Sequence, residues 1–134
     1  MNIFREIFGR IWALWGLIIF TVTLFIALFF YLPCFVLKEP KKAQWHRQVS
    51  RVWMWIFLHS IGCPLKVKGG EYFAKGENYV IVCNHNSLMD VPVTTPFMPR
   101  ANKTIAKKSM SYIPVFGWIY SFGSILVDRK RKSA

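Results

Sequence analysis

The chain has 134 residues, room for one modest domain, with 54% apolar residues and a formal net charge of +12. Apolar and basic together point to an anionic membrane surface or to phosphate-bearing ligands, and the long apolar N-terminus argues against nucleic acid, the other usual partner of a basic chain. Cys34, Cys63 and Cys83 are far apart and odd in number. That gives no complete disulfide framework and no Cys/His cluster with metal spacing, so they read as reduced thiols in a cytosol-facing protein with no metal site.

No charged residue occurs from Ile11 to Leu37, more than the ~20 residues that cross a bilayer. Trp12 and Tyr31 stand near its ends, about 28 Å apart on a helix rising ~1.5 Å per residue, which suits an interfacial aromatic belt. A cleaved signal peptide fits less well, because the run is too long and no small-residue cleavage site follows it. Arg5 and Arg10 precede the segment, and Lys38, Lys41, Lys42, Arg47 and Arg51 follow it. The positive-inside rule thus favours the cytoplasmic side of the cell membrane for everything after Leu37. A hairpin dipping into one leaflet, bent near Pro33 and Pro40, is the alternative to a full crossing.

Ala43 to Ile61 reads as a second helix, polar and basic in its first half and apolar all round in its second, with Gly62 and Pro64 as stop signals. Such a helix lies in the interface with its basic side chains toward headgroups. His46 and His59 read as interfacial or packed histidines, since no carboxylate is near them in sequence. Residues 1–62 therefore form a membrane-associated helical region.

After Pro64 the pattern changes. Leu65–Lys68 alternates apolar and basic and reads as an edge strand; Tyr79–Cys83 is continuously apolar and reads as a central strand covered on both faces. A short helix is predicted from Asp90 to about Thr95, a strand over Lys103–Ala106, a helix over Ser111–Phe122 with Pro114 in its first turn, and a last strand over Ser124–Val127. Alternating strands and helices argue for an α/β domain.

The chemistry-bearing stretch is Asn84-His85-Asn86-Ser87-Leu88-Met89-Asp90. His85 and Asp90 are five residues apart, so on one continuous helix they would not share a face. A strand, a loop and a helix starting near Asp90 bring them together, and Asp90 then holds one imidazole nitrogen while the other faces a substrate, which makes a general base. The competing reading is local: Ser87-x-x-Asp90 fits a capping box, and Asp90 before Val91-Pro92 fits a helix N-cap. Ser87 as a nucleophile activated by His85 lacks the Gly-x-Ser-x-Gly setting. Lys107 and Lys108 read as a solvated basic turn. Ligands in open α/β sheets bind past the carboxyl ends of strands, which places the His85 loop and Asp128-Arg129 on a common edge.

Asn84–Asp90 resembles the His-x4-Asp (HX4D) motif of the glycerolipid acyltransferases. Gly123-Ser124-Ile125-Leu126-Val127-Asp128-Arg129 resembles that family's second motif, and Ala106-Lys107-Lys108 with Ile113–Trp118 resembles the segment between the two. The similarity is nearest to the bacterial 1-acyl-sn-glycerol-3-phosphate acyltransferase (lysophosphatidate acyltransferase) type and covers Leu65 to Arg129. It implies a partial glycerol-3-phosphate acyltransferase-like α/β domain over residues 63–134 behind N-terminal membrane helices. It implies a phospholipid-synthesis enzyme that moves a fatty acyl group from acyl-CoA or acyl carrier protein, as co-substrate, to the free hydroxyl of 1-acyl-sn-glycerol-3-phosphate, with no other cofactor. By the same resemblance His85 takes the hydroxyl proton, Asp90 orients and charge-stabilises the imidazole, and Arg129 binds the acceptor phosphate. The expected partners are membrane lipid, the lysophosphatidate acceptor and the acyl thioester donor, acyl carrier protein among them, with no nucleic acid. The family's later phosphate and donor motifs do not follow Arg129, so the sequence reads as truncated after the second motif. A non-catalytic membrane protein binding anionic lipid through Arg129-Lys130-Arg131-Lys132 is the alternative.

Overall fold

The computed structural model describes residues 3–87 and 89–128. Helix α1, Ile3–Tyr31, continues into a 3-10 turn at Leu32–Phe35, and helix α2, Lys41–Ser60, follows. The two run antiparallel. Near one end Trp12 donates its indole N–H to the Ile61 carbonyl at 3.2 Å, and near the other Trp45 donates to the Phe30 carbonyl at 2.8 Å. Ile3–Phe35 is long and apolar enough to cross a membrane, and among the described residues it is the one segment that is. The sequence predicts N-terminal membrane helices in the plural. The charges Lys41, Lys42, Arg47 and Arg51 keep α2 out of that class.

The core lies between this hairpin and one later helix. Tyr31, Cys34, Trp53, Met54, Phe57, Leu58 and Ile119 are buried together. Phe20 meets Trp53 and Phe57 with ring centroids 5.4 Å apart in each case. Polar groups inside are paired: Trp53 donates to Thr23 Oγ1 at 3.0 Å, and Tyr31 Oη and Ser50 Oγ are 2.5 Å apart. The rest of α1 presents large apolar side chains outward, Phe4, Phe8, Phe25 and Phe29 among them, as a helix solvated by lipid would.

Helix α3, Asp90–Thr94, passes into a 3-10 turn at Thr95–Phe97. Strand β1, Thr104–Lys107, leads to a 3-10 turn at Lys108–Tyr112, then helix α4, Phe116–Phe122, and strand β2, Ser124–Val127. The two strands pair in parallel, Thr104 opposite Ser124 and Lys107 opposite Val127. The α/β reading thus holds in coarse form, as a small sheet plus helices.

Three sequence expectations are corrected. Leu65–Lys68 is not a strand. Tyr79–Cys83 is not a covered central strand either; Val80 is 93% exposed and Val82 89%. An apolar run becomes a strand only when a neighbour takes up its backbone N–H and C=O groups, and among the described residues β1 and β2 pair only with each other. The expected helix over Ser111–Phe122 is broken at Pro114. There the Phe116 N–H donates to the Pro114 carbonyl at 2.7 Å across Val115, whose φ is 67°. This tight γ-turn delays the helix to Phe116.

Candidate active site

The loop before α3 is built around one carboxylate oxygen. Asp90 Oδ2 accepts the backbone N–H of Asn86 at 2.7 Å and of Ser87 at 2.8 Å, and the same oxygen lies 3.8 Å from His85 Nδ1. Asp90 sits in the first turn of α3, and the capping position belongs to Met89, whose side chain makes no cap. Half of a capping box is therefore present: the carboxylate reaches back to the Ser87 N–H, while Ser87 Oγ accepts from the Met89 N–H at 3.2 Å instead of from Asp90. The local reading and the dyad reading are the same geometry. The two hydrogen bonds that shape the turn also aim Oδ2 at the imidazole.

The hydrogen bonds from Ser87 and Asn86, reinforced by His85, hold the Asp90 carboxyl below its ordinary pKa. Asp90 is thus an anion at neutral pH, placed to stabilise a positive charge on His85. The separation of 3.8 Å is an ion-pair contact and longer than a direct hydrogen bond. The His85 side chain is 53% exposed, so the imidazole can be reached by a ligand from outside. Such a pair can accept a proton from a hydroxyl and hold it as imidazolium.

Parallel pairing puts the C-terminal ends of β1 and β2, Lys107 and Val127, on one edge. Asp128 follows Val127. Arg129, the residue expected to bind phosphate, lies outside the described residues, so its meeting with His85 and Asp90 does too. A separate apolar groove of about 240 Å³ lies at the end of α1, walled by Leu28, Leu32, Phe35, Trp118 and Phe122; none of its lining residues belongs to the His85 loop. No group of three or more metal-ligating side chains occurs among the described residues.

Two side chains of α2 have partners that the sequence does not announce. Arg47, expected to face headgroups, instead donates through Nε (2.9 Å) and Nη2 to the carbonyl of Met98. His46 is packed, as expected of it, but its partner is specific: Nε2 lies 3.1 Å from the carbonyl of Ile119. Both partners are more than fifty residues away in sequence, so no local pattern announces them.

A family model described as Acyltransferase matches residues 64–134. Among curated proteins, the chain is 29% identical over 100 residues to the 1-acyl-sn-glycerol-3-phosphate acyltransferase of Saccharomyces cerevisiae, covering 74% of this chain and 32% of that one. It is 33% identical over 86 residues to the protein of the same name from Cocos nucifera, covering 63% of this chain and 26% of that one. An uncharacterized acyltransferase of Schizosaccharomyces pombe is 34% identical over 70 residues, covering 51% of this chain and 25% of its own length. The chain thus spans a third or less of the length of these relatives. No solved structure matches it significantly.

Proposed function

The chain belongs to the acyltransferase family, and on that premise we propose that it takes part in acyl transfer from a fatty acyl thioester, on coenzyme A or acyl carrier protein, to the free hydroxyl of 1-acyl-sn-glycerol-3-phosphate. The observation that carries this reading is the His85–Asp90 pair, with its ionised carboxylate 3.8 Å from the imidazole. The names of the yeast and coconut relatives favour the lysophosphatidate acceptor.

In this reading His85 Nε2 removes the proton of the acceptor hydroxyl as its oxygen attacks the thioester carbonyl. Asp90 stabilises the imidazolium through Nδ1. The tetrahedral intermediate collapses, the carbon–sulfur bond breaks, and the departing thiolate takes the proton back from Nε2. No covalent acyl-enzyme is needed, so Ser87 has no nucleophilic part. Arg129, one residue beyond Asp128, is assigned to the acceptor phosphate, which a planar guanidinium can hold with two parallel hydrogen bonds.

The long apolar helix supports attachment to the membrane in which the acceptor lipid dissolves. The basic excess after Leu37 favours the cytoplasmic face. The test is formation of phosphatidate by the full-length protein in vesicles, supplied with lysophosphatidate and either acyl-CoA or acyl-acyl carrier protein. Turnover with one donor supports the reading and names that donor; none with either, at saturating acceptor, contradicts it. The second reading, headgroup binding without catalysis, draws on the solvent-facing Lys41 at the start of α2. It predicts salt-sensitive vesicle binding that His85→Ala leaves unchanged.

A further inference from the structure

Successive residues of a helix point about 100° apart, and residues four apart share a flank. On α2 this gives two adjoining stripes, His46 with Ser50 and Arg47 with Arg51. Each stripe grips a different later segment. His46 stacks against Tyr31 with ring centroids 5.2 Å apart, and Nε2 reaches the Ile119 carbonyl in α4 at 3.1 Å, while Ser50 bonds Tyr31. Arg47 donates twice to the Met98 carbonyl, and the Arg51 guanidinium sits 5.7 Å from the centre of the Phe97 ring.

The two gripped segments are the ones that matter for the site. Phe97 and Met98 end the short helical segment that Asp90 begins. Ile119 lies one turn before Gly123, where α4 gives way to β2, the strand that leads to Asp128 and Arg129. The carbonyl of Ile119 takes the Gly123 N–H at 3.3 Å as well as the imidazole N–H, so both of its lone pairs are engaged. The Gly123 carbonyl then accepts the Thr104 N–H at 3.1 Å, which sets the register of β1 on β2. An unbroken run of hydrogen bonds joins His46 to the start of the second motif. Because a carbonyl only accepts, the imidazole must carry its proton on Nε2.

We propose that His46 and Arg47 are positioning residues of the acyltransferase site: neighbouring side chains of the membrane-associated helix that fix the distance between the segment headed by Asp90 and the strand leading to Arg129. The proposal rests on the roles given above to His85, Asp90 and Arg129. It makes α2 the element on which the two motifs are assembled, so that the site's spacing is set from the membrane side. Neither residue touches a reacting atom.

The two grips predict opposite kinetic signatures. In the full-length protein in vesicles, Arg47→Met should misplace the His85–Asp90 loop and lower kcat by about tenfold or more, with the acceptor KM nearly unchanged. His46→Ala should loosen β2 and raise the acceptor KM by about tenfold, with a smaller change in kcat. Arg47→Lys, with one donor direction in place of a fork, should recover part of the loss, and His46→Asn, which keeps a donor, should recover most of it. Hydrogen exchange supplies a reading independent of turnover: faster exchange over residues 90–98 in Arg47→Met and over residues 119–127 in His46→Ala. Equal losses of kcat in both variants, with unchanged KM and a matching loss of folded protein, would mean general stabilisation only and overturn the proposal. Exchange unchanged in both segments overturns it as well. An inactive wild type whose variants still show the two local exchange changes would instead sink the proposed reaction, and the positioning role would fall with it.

Discussion

The imidazole of His46 occupies the space where the side chain of any residue other than glycine at position 123 would begin: a Cβ there would collide with the ring carbon between the two nitrogens and lie 2.9 Å from Nε2. Gly123 has φ −92°, a value open to every residue, so the requirement for glycine is one of space and not of backbone freedom. Gly123→Ala should therefore destabilise by roughly 1–3 kcal/mol, the usual cost of overpacking a close contact. Combining it with His46→Ala should restore part of that loss. A thermal-unfolding cycle over the four proteins measures the coupling, and strictly additive losses would contradict the contact.

Burial pushes the His46 imidazole down to about 4, with Lys103 adding to the depression, while its bond to Ile119 and the Glu39 carboxylate oppose it. Unfolded, the same group would take up a proton near its ordinary value of 6.5. The unfolded state thus binds more protons between those limits, and stability falls as pH drops from about 6.5 toward 4. The ring keeps a small exposed area, so the full contribution is discounted to on the order of 2 kcal/mol. Melting His46→Asn and wild type across that window should show a shallower acid decline in the variant; parallel curves would refute the shift.

Two polar contacts at the base of the hairpin should differ in weight. The Tyr31–Ser50 bond is buried at 2.5 Å, whereas the Lys103–Glu39 ion pair at 2.6 Å is partly open to solvent. Tyr31→Phe leaves the Ser50 hydroxyl without that partner and should cost about 1–2 kcal/mol. Lys103→Gln should cost less than about 1 kcal/mol, and less again in high salt. The reverse order in denaturation midpoints would overturn this ranking.

If Ile3–Phe35 crosses the bilayer, alkaline carbonate or molar salt should leave the protein in the membrane pellet. Release into the supernatant would mean that headgroup charge alone holds it.

What the sequence made legible was local. The uncharged run around Ile11–Leu37 announced α1, the polar-then-apolar run ending at Gly62 announced α2 to within about two residues at either end, and Gly123 followed by an apolar run announced β2. The His85–Asp90 proximity was legible because five residues with a helix start at Asp90 leave few other geometries. Failures came where structure depends on a distant partner. Tyr79–Cys83 has a strand's composition, yet composition does not supply a neighbour to pair with. Arg47 looked like a headgroup ligand because nothing nearby shows that the Met98 carbonyl will stand in front of it. Pro114 was placed inside a helix because proline suits a first turn; the bend at Val115, with α4 pressed so close that a Cβ on Gly117 would strike the Ser111 backbone, follows from packing between segments.

The most direct test of the central claim is release of free thiol from acyl-CoA by full-length wild type and His85→Ala, at saturating lysophosphatidate in vesicles. If His85 is the base, the variant should lose about a hundredfold or more of the rate, while its melting temperature stays near that of wild type, because a half-exposed loop histidine contributes little packing. Thiol release by a folded His85→Ala protein at a rate close to wild type would contradict the account.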